Sequence, residues 1–436
     1  MSGRGTSPFN EERKKSSKLL SFIAVASAVA VAGFAQESTE NADHGSGSMS
    51  DRPQGLRFMN NRLTIKPYVA LSYTYDSNID TTHHATDDNI FCVNPGADFT
   101  WRGDRWELAG TLWYRYNAYC DYSDEMGENS FGESLAYKWS NVSEEGKGWN
   151  LLLSERYQYI NQADSLTSGD GRGIWRDREH LDATGVLERR FTERWHANVM
   201  GQYNWLDYKN DTGKYAPLYG WSQYAAGLEA GYAASKWTDL LISGGYSHYL
   251  QKKGSGYRNY SNDSQVWTVQ AGVGTHATEK ITYRALMGVS QLEYGGHGDT
   301  DCGWTYQLSA NWRMTRQLQL SVLGNSYYQP SERSLGQAVK VYSLSGGISY
   351  LTLGDRMTLT GNVAWRHEEN VYSDRYLAAG NDYDEDLMSV RLGANYILNR
   401  WTSVYADLTW EENWCESHSN YDYDRFRGTV GLRFHY

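Results

Sequence analysis

The chain has 436 residues, a formal net charge of −11 and a mean hydropathy of −0.68. Its length would allow two or three soluble domains, but no linker and no change of pattern marks a boundary after about residue 63. The acidic balance excludes a general nucleic-acid-binding protein, and no apolar run approaches the roughly 20 residues that a spanning helix needs.

The N-terminus has the pattern of a secretory signal peptide. Basic residues from Arg13 to Lys18 precede an apolar stretch, Leu19 to Phe34, which ends in small residues around Ala35. This order predicts that residues 1–35 are removed on export. A short membrane anchor is the alternative, and the brief, Ala-rich core argues against it. The next residues, 36–62, are rich in Ser, Gly, Asn and Asp and are predicted to be disordered.

Residues 63–436 read as about eighteen strands, because apolar and polar residues alternate with a period of two. In chain order the predicted strands cover residues 65–75, 90–101, 105–119, 131–139, 149–160, 181–190, 195–205, 221–233, 240–250, 265–275, 281–292, 304–313, 318–328, 341–350, 357–366, 387–398, 402–410 and 425–436. Each is as long as a tilted strand that crosses a membrane.

The last strand shows the pattern most clearly. From Arg425 to Tyr436, one parity is apolar and ends in aromatic residues, whereas the other carries Arg425, Arg427 and Arg433. Successive side chains on a strand point to opposite faces. One face of this strand therefore suits lipid and the other suits water.

The connections between the predicted strands alternate in length. Turns such as residues 102–104 and 399–400 alternate with loops such as residues 161–178 and 367–384. Tight turns at one end and long loops at the other are typical of an outer-membrane barrel with short periplasmic turns and long extracellular loops. The fold prediction is thus an all-β, closed, antiparallel up-and-down barrel of about 18 strands, with 16 as the second choice. A β-propeller and a soluble sandwich are the alternatives, but no blade signature recurs.

Aromatic residues support the barrel. The chain has 35 Tyr and 17 Trp but only 10 Phe, which favours rings with a polar edge. Several tryptophans follow a short turn directly: Trp106, Trp149, Trp195, Trp237 and Trp401. Other rings cluster at the opposite strand ends, as at Tyr157 and Trp205. The spacing predicts two interfacial girdles that flank an apolar band.

Two features resemble known proteins. The signal peptide and the terminal Phe434-His435-Tyr436 are similar to those of bacterial outer-membrane barrels. That resemblance implies integral outer-membrane localisation and recognition of the last strand by the barrel-assembly machinery. Residues 73–79, YTYDSNI, resemble the opening of the β-barrel porin type 2 family. This narrower resemblance implies a porin of about this length, in a family often linked to exopolysaccharide export, and it implies no catalytic residues.

If the apolar parity faces lipid, the other parity lines a lumen, and eighteen strands leave a water-filled channel. The basic lumen candidates are Arg115, Lys138, Arg156, Arg190, Arg284, Arg313, Arg366, Arg391, Arg427 and Arg433. The acidic residues noted on the same parity are Glu107, Asp182, Glu188, Glu229 and Asp407. We hypothesise that such a wall favours anionic or polyhydroxylated solutes. The alternative is that these charges pair with one another and only solvate the wall.

The predicted function is a porin-like channel for passive diffusion of small hydrophilic solutes through the outer membrane. A conduit for exopolysaccharide export and a non-conducting barrel whose loops bind a surface are the alternatives. No hydrolase, phosphate-loop, dinucleotide or zinc-protease motif stands in a credible setting, so we expect no enzyme, cofactor or metal. Acidic clusters in the long loops suit Ca²⁺ chemically, but their spacing matches no defined calcium loop and favours solvated surface. The sequence leaves the oligomeric state open.

The four cysteines are an even number in an exported chain. Cys92 and Cys120 fall on neighbouring predicted strands and are the first candidates for a disulfide. Their offset along the strands would require the outer loop to bend back. Cys302 and Cys415 form the residual pair, and free thiols are the alternative.

Overall fold

A computed structural model describes the chain from residue 55 to its end with gaps. The described residues are 55–79, 81, 83–121, 129–142, 147–161, 177–208, 220–235, 237–251, 263–275, 280–294, 300–331, 338–371, 384–415 and 422–436. The predicted signal peptide, residues 1–35, lies outside the described residues, as does most of the predicted disordered segment.

The described chain contains nineteen strands. They are β1 (Leu56–Phe58), β2 (Leu63–Asp76), β3 (Asp88–Arg102), β4 (Trp106–Tyr119), β5 (Asn129–Ser140), β6 (Gly148–Asn161), β7 (Asp177–Arg190), β8 (Trp195–Tyr208), β9 (Trp221–Ala233), β10 (Asp239–Gln251), β11 (Asp263–Gly274), β12 (Ile281–Tyr294), β13 (Thr300–Arg313), β14 (Leu318–Pro330), β15 (Ala338–Thr352), β16 (Met357–Val371), β17 (Glu385–Asn399), β18 (Thr402–Cys415) and β19 (Tyr423–His435). No helix in this part of the chain is long and apolar enough to cross a membrane.

Strands β2 to β19 form a closed antiparallel barrel of eighteen strands, as the sequence predicts. Each strand pairs with its neighbours in the chain, and β19 pairs with β2 over nine positions, from His435 opposite Tyr68 to Arg427 opposite Asp76. Closure satisfies the backbone groups at both edges, which lipid could not do.

The short strand β1 is a departure from the prediction. The sequence indicates disorder through residue 62, whereas Leu56–Phe58 pairs with the start of β2. The chain reverses there through Met59, Asn60 and Asn61, which all have positive φ angles of 51°, 57° and 67°. Asn tolerates this left-handed conformation better than most residues, so a polar, Asn-rich segment can still make a tight turn.

The outer face of the barrel is an apolar band. The strand register places large side chains such as Leu228, Val269 and Met287 side by side on this face, with exposed fractions of 59%, 58% and 65%. Rings mark the periplasmic rim, where Trp106 packs edge-on to Trp101 with centroids 5.2 Å apart. A broad exposed apolar band on a closed barrel is buried in lipid. The protein is therefore an integral β-barrel of the outer membrane.

The strands extend further at the long-loop end than the alternation predicts. For example, β13 begins at Thr300 rather than at residue 304, and β18 ends at Cys415 rather than at residue 410. Above the lipid both faces of a strand are polar, so the hydrophobic alternation stops while the backbone ladder continues. One consequence corrects the loop pattern: the connection between β12 and β13 covers only residues 295–299 and is shorter than the periplasmic connection 141–147.

Candidate functional site: the barrel lumen

The inner face of the wall carries the basic residues that the sequence singles out. The register places all ten on the parity opposite the exposed apolar side chains: Arg115, Lys138, Arg156, Arg190, Arg284, Arg313, Arg366, Arg391, Arg427 and Arg433. None of the ten is fully buried. The structure thus brings these side chains to one water-facing surface.

The inner face also carries acidic residues that the sequence reading missed. Besides the five noted above, they are Asp76, Asp88, Asp98, Asp239, Asp301, Glu368, Glu385 and Glu411. Except for Asp98, these residues lie at the ends of the observed strands, just beyond the strands that the sequence predicts. A longer strand estimate would have found them, because the inward parity simply continues past the lipid boundary.

Several of the arginines are ion-paired within the wall. Arg391 Nη2 lies 3.1 Å from Asp407 Oδ1, and Arg427 Nη2 lies 2.7 Å from Glu411 Oε1. Further pairs join Arg190 to Glu188, Arg284 to Glu229 and Arg366 to Glu368. Much of the basic charge is therefore balanced locally.

The basic and acidic side chains of the inner face differ in their exposure. Among the described inward residues, six basic side chains are exposed: Lys66, Arg102, Arg115, Arg156, Arg391 and Arg433. Asp98 is the one acidic side chain in the same set that is exposed, whereas Asp76, Asp182 and Glu229 are buried. The accessible inner surface is consequently more cationic than the residue counts suggest.

The lumen is narrowed by a wall hairpin that bends inward. Strands β13 and β14 pair only between Gln307 opposite Asn325 and Arg313 opposite Gln319, although β13 continues to Thr300 against β12. Where the backbone ladder stops, side chains replace it. The Ser326 hydroxyl accepts a hydrogen bond of 3.0 Å from the Tyr306 amide, and the Ser326 carbonyl accepts one of 2.8 Å from Thr305 Oγ1. Above this point, residues 326–330 of β14 and 338–341 of β15, the inner hairpin, separate from β13, while the β15 residues stay paired with β16.

The inner hairpin extends across three strands to contact β10. Tyr249 of β10 donates a hydrogen bond of 2.9 Å from its hydroxyl to the Tyr328 carbonyl, and Gln251 donates one of 2.6 Å to the Ser331 carbonyl. Both donors lie on the inward face of β10. The hairpin therefore crosses the inner surfaces of β11, β12 and β13 at the extracellular end of the barrel.

A small apolar core holds the inner hairpin there. It consists of Leu206, Tyr208, Trp221, Tyr249, Val266, Leu292, Tyr328 and Ala338, with Tyr294 and Val371 packed against it. The first six are inward residues near the extracellular ends of β8 to β12. This packing explains why apolar side chains occur on the inner face of these strands, because burial under the inner hairpin removes them from water.

Polar contacts with β13 also hold the inner hairpin in place. Tyr328 donates a hydrogen bond of 2.6 Å from its hydroxyl to Asp301 Oδ2, and Lys340 donates one of 3.0 Å to the Tyr328 hydroxyl. Lys340 is buried and passes over the inner face of β13 at Gly303, where a Cβ would overlap its Nζ. The absence of a side chain at this position lets the hairpin approach β13.

The segment that resembles the porin family lies at the seam of the barrel. Asp76 accepts hydrogen bonds from Arg425, Ser77 exchanges hydrogen bonds with Phe426, and Asn78 donates one of 3.0 Å to the Asp424 carbonyl. These contacts continue the junction of β2 and β19 past the end of their ladder. The motif thus has a structural role in closure.

The proposed disulfide between Cys92 and Cys120 is not formed, and all four cysteines are free thiols. Cys92 lies opposite Asn117 on the inner face, whereas the Cys120 amide bonds to the Asn89 carbonyl, three residues further along β3. Cys302 on β13 and Cys415 on β18 lie on well-separated strands. Strand register, rather than loop bending, sets these positions.

The described residues contain no group of three or more His, Cys, Asp or Glu that could hold a metal ion. The acidic clusters of the long loops include Asp124 and Asp382, which lie outside the described residues, and Asp422, which lies within them. Asp422 has a local role, because it accepts a hydrogen bond of 2.8 Å from the Cys415 amide.

Comparisons with known proteins give structural similarity only. No family model matches the chain, so the resemblance of residues 73–79 to the porin type 2 family stays a prediction. No curated protein matches it either. The structure is similar to the outer membrane protein OpdK of Pseudomonas aeruginosa, with 14% identity, coverage of 85% of this chain and 99% of that chain, and a TM-score of 0.42.

Two further solved structures are similar. The outer membrane channel DcaP of Acinetobacter baumannii has 9% identity, coverage of 88% and 100%, and a TM-score of 0.41. A BenF-like porin from Pseudomonas fluorescens Pf-5 has 11% identity, coverage of 85% and 99%, and a TM-score of 0.42.

Proposed function

We propose that the barrel is a passive channel for small hydrophilic solutes, that it favours anions, and that it is not an enzyme. The observation that carries the proposal is the charge asymmetry of the accessible inner wall. Arg115, Arg391 and Arg433 are exposed, whereas Asp98 is the one exposed acidic side chain among the described inward residues. A passing ion responds to the charge it meets at close range, so this wall favours anions over cations.

The inner hairpin supports a channel with a defined constriction. It packs on β8 to β13, while the opposite inner wall keeps exposed polar residues such as Lys66 and Asp98. A passage that runs along β16 to β19 and β2 to β5 fits this arrangement. Its cross-section is smaller than that of an unobstructed eighteen-stranded barrel, which by itself leaves an aqueous lumen.

Planar-bilayer recording of the purified protein tests the proposal. In a KCl gradient we expect discrete conductance steps and a reversal potential on the anion-selective side. A cation-selective reversal potential would overturn the anion preference. Reconstituted protein with no conductance would favour the non-conducting, surface-binding alternative, and loss of exported polysaccharide on gene deletion would favour the conduit for exopolysaccharide export.

We further propose that the last strand is the signal that the barrel-assembly machinery recognises. The Tyr436 amide donates a hydrogen bond of 3.1 Å to the Pro67 carbonyl, and its ring lies 5.4 Å from that of Trp401. These contacts place the terminal aromatic at the periplasmic rim. Deleting Tyr436 should reduce the folded protein in outer-membrane fractions, and unchanged assembly would contradict the proposal.

A further inference from the structure

One part of the inner wall combines aromatic rings with arginines that have no carboxylate partner among the described residues. It spans β18, β19, β2, β3 and β4 and consists of Tyr405, Arg433, Tyr68, Trp113 and Arg115, which we call the arginine–aromatic stripe. All five lie on the inward parity. Both arginines are exposed and the three rings are half-buried, so a solute in the lumen can reach them.

Glycines opposite the rings decide how the rings lie. Tyr68 lies against Gly96, Trp113 against Gly132 and Tyr405 against Gly431, each on the next strand. In every case a Cβ on the glycine would overlap the ring. Tyr68, Gly96, Trp113 and Gly132 occupy consecutive positions of one inter-strand row. The rings therefore lie along the wall and turn a face to the lumen.

The two guanidinium groups are held by these rings. The Arg433 guanidinium carbon is 5.0 Å from the Tyr68 ring centroid and 5.8 Å from that of Tyr405. The Arg115 guanidinium carbon is 5.8 Å from the centroid of Trp113. Cation–π contact orients an arginine without neutralising it. Among the described residues, neither arginine has a carboxylate within ion-pair distance, unlike Arg391 or Arg427.

The neighbouring charges leave the stripe cationic. Lys66 faces Asp98 across β2 and β3, and Asp98 accepts a hydrogen bond of 2.8 Å from Thr111. Asp98 can balance one of the three basic groups, Lys66, Arg115 and Arg433. The surface keeps a net positive charge beside flat aromatic faces.

We propose that the arginine–aromatic stripe binds acidic saccharides, such as short uronic-acid oligomers. The aliphatic C–H face of a pyranose ring meets the negative face of an aromatic ring, while its carboxylate accepts paired hydrogen bonds from a guanidinium fork. Rings separated by one glycine-bearing strand suit successive sugar units. The inference rests on the proposed channel function, because the saccharide must enter the lumen.

Calorimetry and current block together test the inference. We expect tri-galacturonate to bind the reconstituted protein and to interrupt its KCl current, while maltotriose, a neutral trisaccharide, binds roughly tenfold more weakly or not at all. One double variant carries Arg115→Gln and Arg433→Gln, and a second carries Tyr68→Leu and Trp113→Leu. Each should bind tri-galacturonate roughly tenfold more weakly and should still conduct KCl. The matched control is Arg400→Gln, whose guanidinium carbon also lies over a ring, 4.6 Å from the centroid of Trp401, but at a periplasmic turn.

The outcomes distinguish the channel proposal from the saccharide-binding proposal. Binding of tri-galacturonate without any KCl conductance would refute the channel and keep the saccharide site. Conductance without binding or block would overturn the saccharide site and keep the channel. Equal binding of maltotriose, tighter binding of benzoate, or an equal loss in the Arg400→Gln protein would also overturn the assignment to acidic saccharides at this stripe.

Discussion

Asp76 of β2 and Arg425 of β19 form a buried, bidentate ion pair at the extracellular end of the seam where the last strand meets the first. Arg425 donates from Nε to Asp76 Oδ1 at 2.9 Å and from Nη2 to Oδ2 at 2.6 Å. The exposed fractions of the two residues are 1% for Asp76 and 4% for Arg425. The seam ladder covers only nine positions, so this pair and the contacts of Ser77 and Asn78 reinforce the junction on which closure depends.

Replacing Arg425 with Met should destabilise the folded barrel. The change leaves the Asp76 carboxylate buried without its cation, and breaking a buried pair in this way costs roughly 3–5 kcal/mol. Urea unfolding in lipid vesicles, followed by tryptophan fluorescence, measures the loss. The control is Arg391→Met, whose exposed pair with Asp407 should contribute less than about 1 kcal/mol. Equal unfolding midpoints for the two variants would contradict a special role of the seam pair.

A side chain at position 303 should open the constriction. In Gly303→Val the new methyl groups would occupy the space of Lys340 Nζ and push the inner hairpin away from β13. We expect a larger single-channel conductance with normal assembly. Gly346→Ala is the control, because a Cβ at Gly346 of β15 meets nothing within 4 Å. A conductance that stays the same or falls would show that the inner hairpin does not limit the passage.

The accessible arginines should set ion preference. A unit charge about 10 Å from a passing ion contributes roughly 0.4 kcal/mol in water, which corresponds to about a twofold change in permeability. Arg391→Gln should therefore lower anion permeability and raise cation permeability about twofold each, which lowers their ratio roughly fourfold and leaves the Asp407 carboxylate without its arginine. Arg400→Gln at a periplasmic turn, where Arg400 lies over Trp401, is the control. The reversal potential in a KCl gradient reports both changes, and equal shifts would contradict the assignment.

The cysteines should differ in their accessibility from outside the cell. Cys120 is exposed at the extracellular end of β4, whereas Cys415 is buried at the end of β18. In chains with a single cysteine, a membrane-impermeant maleimide added to intact cells should modify Cys120 and should modify Cys415 only after unfolding. Reduction of the native chain should not change its gel migration. Rapid labelling of Cys415 on intact cells would contradict the described packing.

The wall of this protein could be predicted closely from its sequence, but the contents of its lumen could not. The inward parity of Arg391 and Arg433 follows from alternation, since a strand exposes its faces in strict turn. The ion pair of Arg425 with Asp76 joins residues 349 positions apart, and Asp76 lay in a predicted loop. Cys92 and Cys120 are free thiols, the alternative that the sequence left open, because their offset along β3 and β4 keeps Cys92 opposite Asn117.

The sequence by itself determined the number of strands, their two faces and the closure of the sheet, because each of these follows from local alternation and from the cost of an open edge in lipid. Only the tertiary structure decided where the wall bends inward and which arginines have no carboxylate partner in the described part of the chain. Those outcomes depend on contacts such as that of Tyr249 with Tyr328, 79 residues apart. No local pattern encodes such a contact, since it arises when strands distant in the chain meet across the lumen.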